Sequence, residues 1–329
     1  MPQPTLSDVH VNVPLTNLSL MYRQEDEAFV ADKVFPIVSV QQRSDVYYVY
    51  NKGDFIRSTM KKRGPGAESA GSGYRLDNTP SYLCDVWSLH KDIPDQVRAN
   101  ADSVLQPDLE ATMFLSTQAR LNRELQWAST FFANNVWTTN YTGVAGAPGA
   151  NQFLQWNDPT SSPIVDVRTV KRAVQLAGLY RPNKLVLARK VFDTLCDHPD
   201  FIDRVKYGQT APQPAKVTLA IMASLFELDE VLVMDGIQNT AVEGASDTNA
   251  FIAGNHALLV YTPSTPGLMV PGAGYTFAWT GYFGATSQGT RLKSFYLPWL
   301  ESTRVEIDSA YVHKIVGADL GGFFYNAVA

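Results

Sequence analysis

Apolar positions change their period several times along the chain, and each change marks an element. In Val46 to Tyr50, VYYVY, residues Val46, Tyr48 and Tyr50 share one face of a strand while Tyr47 and Val49 share the other. Both faces are apolar or aromatic, so such a strand needs cover on both sides. It runs directly into MKKRGPGAESAGSGYRLDN, a glycine- and serine-rich stretch with three consecutive basic residues, and Tyr82, Leu83, Val86 and Trp87 then resume the β-like character. The pattern predicts a long hairpin with a flexible tip. An outgoing arm from Val46 to Met60 would reach about 50 Å at about 3.3 Å per residue, against a radius of gyration of about 20 Å for a compact chain of this length. It cannot cover itself, and its aromatic faces are expected on a neighbouring copy. The plainer alternative is two ordinary sheet strands joined by a surface loop.

The segment QPDLEATMFLSTQARLNRELQWASTFF has the period of a helix. Pro107 suits its first position, and Asp108 and Glu110 place negative charge in its first turn. Phe114, Leu121, Leu125, Ala128 and Phe132 make one apolar stripe, which predicts a strut about 40 Å long. Arg120, Arg123 and Glu124 read as its solvated face. Residues 140–163 are turn-rich, and from Val165 helical and strand signals alternate. VDVRTVKRAVQLAGL is a helix stopped by Pro182, KLVLA a strand, and RKVFDTLCDHPDFIDRVKYG two helices broken at Pro199. TLAIMASLFEL is again a helix, followed by the strand EVLVM and the turn Asp235-Gly236. This is a separate α/β unit. Beyond it lie the β-rich ALLVY, YTFAW and STRVEIDSAYVHKIV. Residues 1–40, with prolines at 2, 4, 14 and 36, read as an extended arm leading into a strand. No internal repeat or low-complexity tract is visible.

Composition narrows the function classes. The 329 residues suit one large or two to three smaller units. A net charge of −5 with 18% charged residues gives no basic footprint for reading nucleic acid. Cys84 and Cys196 stand far apart without metal spacing and read as reduced thiols. The stretch MPQPTLSDVHVNVPLTNLSL lacks a basic region followed by an unbroken apolar core, so no signal peptide is expected, and the sequons at Asn17 and Asn140 then carry no glycan. No apolar run reaches the roughly 18 residues that span a bilayer, so no membrane partner is expected.

The glycine-rich stretch could be a phosphate loop, because Gly66 and Gly71 have the G-x-x-x-x-G spacing. Ser72 and Gly73 stand where Lys and Ser/Thr are required, however, and after Gly64 and Gly66 the third glycine of a dinucleotide fingerprint is Ser69. CDHPDFID gathers a thiol, an imidazole and three carboxylates. His198 precedes a proline at an inter-helix break and Asp200 suits a helix start, so capping explains the cluster better than a metal does. His10, His90, His198, His256 and His313 are scattered, and no nucleophile elbow is present. No catalytic residue, metal ligand or cofactor is assigned.

The order of extended arm, glycine-tipped hairpin, strut helix, α/β unit and terminal β return resembles the major capsid proteins of tailed bacteriophages, the HK97-fold family. RGPGAESAGSGYRLDN with YLCDVWSLHKDIPDQVRANAD looks like the E-loop running toward the spine helix. RPNKLVLARKVFDTLCDHPDFIDRVKYG and IMASLFELDEVLVM look like the axial domain, and VEIDSAYVHKIVGADLGGFFYNAV like the last strand returning to the peripheral domain. The resemblance implies an α+β, HK97-like capsid fold with an N-terminal arm at 1–45, an extended β-hairpin (E-loop) at 46–90, and the spine helix with the first part of the peripheral β-sheet at 91–160. An α/β axial domain would span 161–270 and the peripheral return strands 271–329.

It also implies a structural, non-enzymatic protein that self-assembles into the pentamers and hexamers of an icosahedral phage head. That head would enclose double-stranded DNA contacted non-specifically, as a virion capsid assembled in the host bacterial cytoplasm. Portal and decoration proteins are partners of such a shell. Because the arm begins almost at once, any scaffolding protein is expected to be separate. Tyr48, Tyr50, Lys61, Lys62, Arg63, Glu68 and Arg75 of the E-loop are the expected inter-subunit contacts, the basic ones facing acidic patches on an adjacent copy. A Lys–Asn weld of the kind some members form would need Lys61 or Lys62 to meet Asn326, and the sequence gives no sign that they do. Two alternatives are an encapsulin-like compartment shell and a soluble enzyme with its site in 161–240. The arm and long hairpin favour the capsid over the compartment.

Overall fold

Two mixed sheets organise the chain, and the longest strand, Ser302–Ile315, is the spine of the first. The computed structural model describes residues 24–101, 105–208, 217–267, 269–282 and 284–329. Ser302–Ile315 pairs antiparallel with Asp85–Pro94, Thr290–Leu297 and Gly274–Trp279, and Ile37–Val40 joins parallel to the last of these, giving five strands. One face carries charged pairs across strands. Arg304 holds Asp92 through two bonds of 2.7 and 2.8 Å, Lys293 holds Glu306 at 2.7 Å, and buried Asp308 accepts from Arg291 and from Ser88 at 2.6 Å. Such directly opposed opposite charges pin the strand register.

The second sheet has six strands in the order Glu230–Met234, Lys184–Ala188, Ala257–Val260, Gly321–Tyr325, Thr139–Val144 and Gln152–Leu154. The helices Pro163–Gly178, Arg189–Cys196, Pro199–Gly208 and Leu219–Phe226 belong to this unit. Its central strands KLVLA and ALLV are unbroken apolar runs because they lie in the core, where Leu185, Val186, Leu187, Leu258, Leu259 and Val260 are buried. The break at Pro199 and the Thr218 cap before the last helix follow the sequence pattern, the Thr218 hydroxyl accepting from the Ile221 N–H.

Sheet membership departs from the expected segments. Thr139–Val144 and Gln152–Leu154, within the stretch assigned to the first part of the peripheral domain, pair in the α/β sheet, and so does Gly321–Tyr325 from the return stretch. The glycines explain the last crossing. A Cβ on Gly321 would stand 2.1 Å from the Trp137 ring and one on Gly322 2.5 Å from Val170, so only glycine lets this strand slide between them. The first 23 residues of the expected arm lie outside the described residues, and 24–45 do not run free. They form a helical turn at Ala31–Val34 and then the strand Ile37–Val40 of the first sheet.

The strut runs Pro107–Phe131, and of the stripe predicted for it only Ala128 and Phe132 are buried. The inward residues are Ala111, Leu115, Arg123, Glu124, Trp127, Ala128 and Phe131, whereas Phe114 is exposed and Leu121 and Leu125 are half-buried. The reason is that the helix serves two cores. Ala111 and Leu115 pack on Ile93, Val305 and Ile307 of the first sheet, while Trp127 and Phe131 enter the large core with Phe35 and Trp137. One straight stripe cannot describe a helix whose partners change halfway along.

Candidate functional site

The hairpin forms, with a different build from the fifteen-residue strand that its sequence suggests. Ser44–Val46 pairs with Ser81–Leu83, and Val49–Tyr50 with Leu76–Asp77, both antiparallel. Asn51 then ends the strand, its side chain accepting from the Gly53 N–H at 2.9 Å to cap a short helix, Lys52–Ile56. The ladder is therefore confined to the base, and the outgoing arm is shorter than a fully extended one.

Its two faces meet different fates. Tyr47 stacks on Phe277 at 6.0 Å and Tyr82 on the same ring at 4.6 Å, so this face is covered by the subunit's own first sheet. That corrects the expectation that both faces await a neighbour. On the other face Tyr48 is 60% exposed, and beyond the base Phe55, Ile56 and Met60 are 58, 60 and 93% exposed. Tyr50, Phe55 and Tyr74 form an aromatic triad with centroids 5.7 to 6.1 Å apart. Arg75 binds Asp54 through its backbone N–H at 3.0 Å and its guanidinium at 3.2 and 3.3 Å, and these hydrogen bonds hold the Asp54 carboxyl below its usual range. Tyr50 and Arg75 are thus engaged inside the hairpin. Lys61, Lys62, Arg63 and Glu68 are exposed at its tip, where the Arg63 guanidinium donates to the Ala67 carbonyl.

A second polar centre lies where periodicity expects solvent. Glu124 is fully buried and accepts from the N–H groups of Val30, at 3.0 and 3.1 Å, and Ala31, at 2.8 Å, at the start of the turn Ala31–Val34. Burial pushes its carboxyl up to about 7, against the pull of those two N–H groups. Buried Arg123 pairs with Asp32 at 2.8 Å and lies over the Tyr311 ring, while exposed Arg120 pairs with Asp26. The strut thus grips the N-terminal chain through charges that helical spacing alone assigns to its surface. The missed signal was the glutamate's place one turn before Trp127, on the side that closes over the incoming chain.

The CDHPDFID cluster is structural. The Asp200 N–H donates to His198 Nδ1 at 3.1 Å, which leaves the Nε2 hydrogen for Ser161 Oγ at 3.0 Å or the Asp158 carbonyl at 3.2 Å. His198 is therefore the cap of the helix at Pro199, and Asp200 instead binds Arg204 at 3.1 Å. Among the described residues no group of three or more His, Cys, Asp or Glu stands together as a metal site would, and no helix is long and apolar enough to cross a membrane.

No family model matches the chain. Over 324 residues, 97% of this chain and 97% of the relative, it is 25% identical to a major capsid protein of Pseudomonas phage JBD67. Among solved structures it is similar to a phage-related protein from Bordetella bronchiseptica RB50, with a TM-score of 0.65 and 22% identity over 93% of this chain and 94% of that one. The capsid of cyanophage P-SCSP1u matches with a TM-score of 0.62 and 11% identity over 97 and 93% of the two chains. An encapsulin of Synechococcus elongatus PCC 7942 follows at 0.57 and 10% over 95 and 93%. The chain has the HK97-type fold from which protein shells are built. Within that class, a sequence relative that spans nearly its whole length is a phage major capsid protein.

Proposed function

We propose that this protein is the major capsid subunit of a tailed-phage head, whose copies close into an icosahedral shell of pentamers and hexamers around double-stranded DNA. The observation that carries the reading is the end-to-end likeness to a phage major capsid protein, with 97% of each chain aligned. The hairpin supports it physically: Tyr48, Phe55, Ile56 and Met60 are set outward on one projection, and apolar groups clustered in this way mark an interaction surface. In this reading Tyr48, Lys61, Lys62, Arg63 and Glu68 meet a neighbouring copy. The hairpin acts as the E-loop, 161–270 as the axial region and the five-stranded sheet as the periphery.

The role is structural rather than catalytic, the location is the virion capsid, and assembly takes place in the bacterial cytoplasm with a portal, a scaffolding protein and a decoration protein as further partners. Packaged DNA meets the shell without sequence readout, in keeping with a net charge of −5. The encapsulin likeness makes a compartment shell the second reading, since that fold also closes. Electron microscopy of particles from cells carrying the intact gene neighbourhood separates the two. Shells holding nuclease-protected DNA support the capsid, shells holding a protein cargo support the compartment, and discrete small oligomers contradict both.

A further inference from the structure

Residues 51–75, the outer half of the hairpin, contribute no side chain to any of the three hydrophobic clusters among the described residues. Their polar ties are almost all internal, as with Asn51 to Gly53, Asp54 to Arg75 and Arg63 to Ala67. One residue reaches elsewhere. Lys52 Nζ donates to the Ala177 carbonyl at 2.7 Å, in the last turn of the helix Pro163–Gly178, and pairs with Asp319. The other oxygen of Asp319 accepts from Thr138 Oγ1 at 2.6 Å. An ammonium is the group that the carbonyl end of a helix favours, and Asp319, held by Thr138, presents its carboxylate at the same point. Among the described residues this is the sole hydrogen-bonded tie between the outer hairpin and the body of its own subunit.

The tie has the wrong composition for a final docking site. It is entirely polar and partly exposed, with the Lys52 and Asp319 side chains 49 and 36% accessible, while Phe55, Ile56 and Met60 stay uncovered beside it. We propose that Lys52 is an autoinhibitory clamp: it parks the hairpin on its own subunit through Ala177 and Asp319, and must let go before the hairpin can cover a second copy of this chain. The proposal rests on the shell reading for its second half only. Parking is a property of the single subunit, and release is coupled to assembly because the tie at Lys52 fixes the direction in which the outer hairpin leaves its own body. An exposed ion pair suits a reversible clamp, since it is weak enough for neighbour contacts to outcompete.

The test uses spin labels on the full-length unassembled subunit carrying Cys84→Ala and Cys196→Ala, at Arg57→Cys in the hairpin and Leu176→Cys beside Ala177, with the distance distribution between them as readout. The parked arm gives a narrow, short distribution. Lys52→Ala and Asp319→Asn shift the parked-to-released ratio by about two- to fivefold toward longer distances, the range that an exposed pair supports, while Lys52→Arg keeps the parked distance. Salt at about 1 M releases the unsubstituted arm as well. A distribution as narrow in Lys52→Ala as without it overturns the clamp. Light scattering then tests the coupling: Lys52→Ala shortens the lag before shells appear, and an equal or longer lag overturns autoinhibition. If the unsubstituted chain forms no shells under any condition, the shell reading fails, and the label distances still decide whether the clamp exists.

Discussion

Glu124 reaches the incoming chain through the N–H groups of Val30 and Ala31, and its burial makes that grip depend on pH. The unfolded carboxyl titrates at its ordinary value of 4.5, whereas burial raises the folded one to about 7. The folded state therefore holds this proton more tightly. This group's contribution to stability is most favourable at low pH and declines as pH rises from about 4.5 to 7, by about 3 kcal/mol. Urea midpoints compared at pH 5 and 7.5 should show the decline, and Glu124→Gln should flatten it; an identical pH dependence in the variant would count against this reading. Gly289 is a second residue where one atom decides. Its φ of 73° is left-handed, and an added Cβ would lie 2.3 Å from the Ala310 carbonyl oxygen at the start of the strand Thr290–Leu297. Gly289→Ala should lower stability by about 2 to 4 kcal/mol, since strain and overpacking act together, and an unchanged melting temperature would refute it.

At the scale of elements, what periodicity encodes was legible and what partners decide was not. Part of the α/β unit reads directly from the chain, because KLVLA and EVLVM each follow a helix with an ordinary start, Pro163 and Thr218, whereas ALLV, which the sequence places beyond the unit, pairs into its sheet. The strut was legible in extent and only partly in orientation, because its two halves enter different hydrophobic clusters and Glu124 is held inside by backbone groups that no pattern displays. The hairpin was legible as a hairpin, yet Asn51 converts its outgoing strand into a helical turn, and Tyr47 finds its cover at Phe277, far away in sequence. Of the expected contact residues, Tyr50 and Arg75 also have partners inside the hairpin that the sequence did not display: Phe55, Tyr74 and Asp54, which only the folded hairpin brings near. Deleting residues 64–73 removes the glycine-rich tip and leaves the paired base intact. The subunit should keep its far-ultraviolet circular dichroism and cooperative melting while failing to build stable shells, and normal particles from the deletion would show the tip to be dispensable.

At the scale of the whole molecule, the five-stranded sheet, the six-stranded sheet and the strut that joins two hydrophobic clusters make a body from which one arm projects. The body also leaves apolar side chains uncovered, Leu176, Val242 and Trp299 among them, while the arm gathers Tyr48, Phe55, Ile56 and Met60 on one projection. Apolar surface left uncovered after folding is what a self-tiling protein needs, because contacts between copies must form after each copy has folded. Cryo-electron microscopy of the purified full-length protein tests this most directly. Closed icosahedral shells in which the hairpin of each subunit lies across a neighbouring copy, with Met60 and Ile56 covered, are the predicted result; subunits that stay dispersed, or shells in which the hairpin remains folded on its own subunit, would contradict the account.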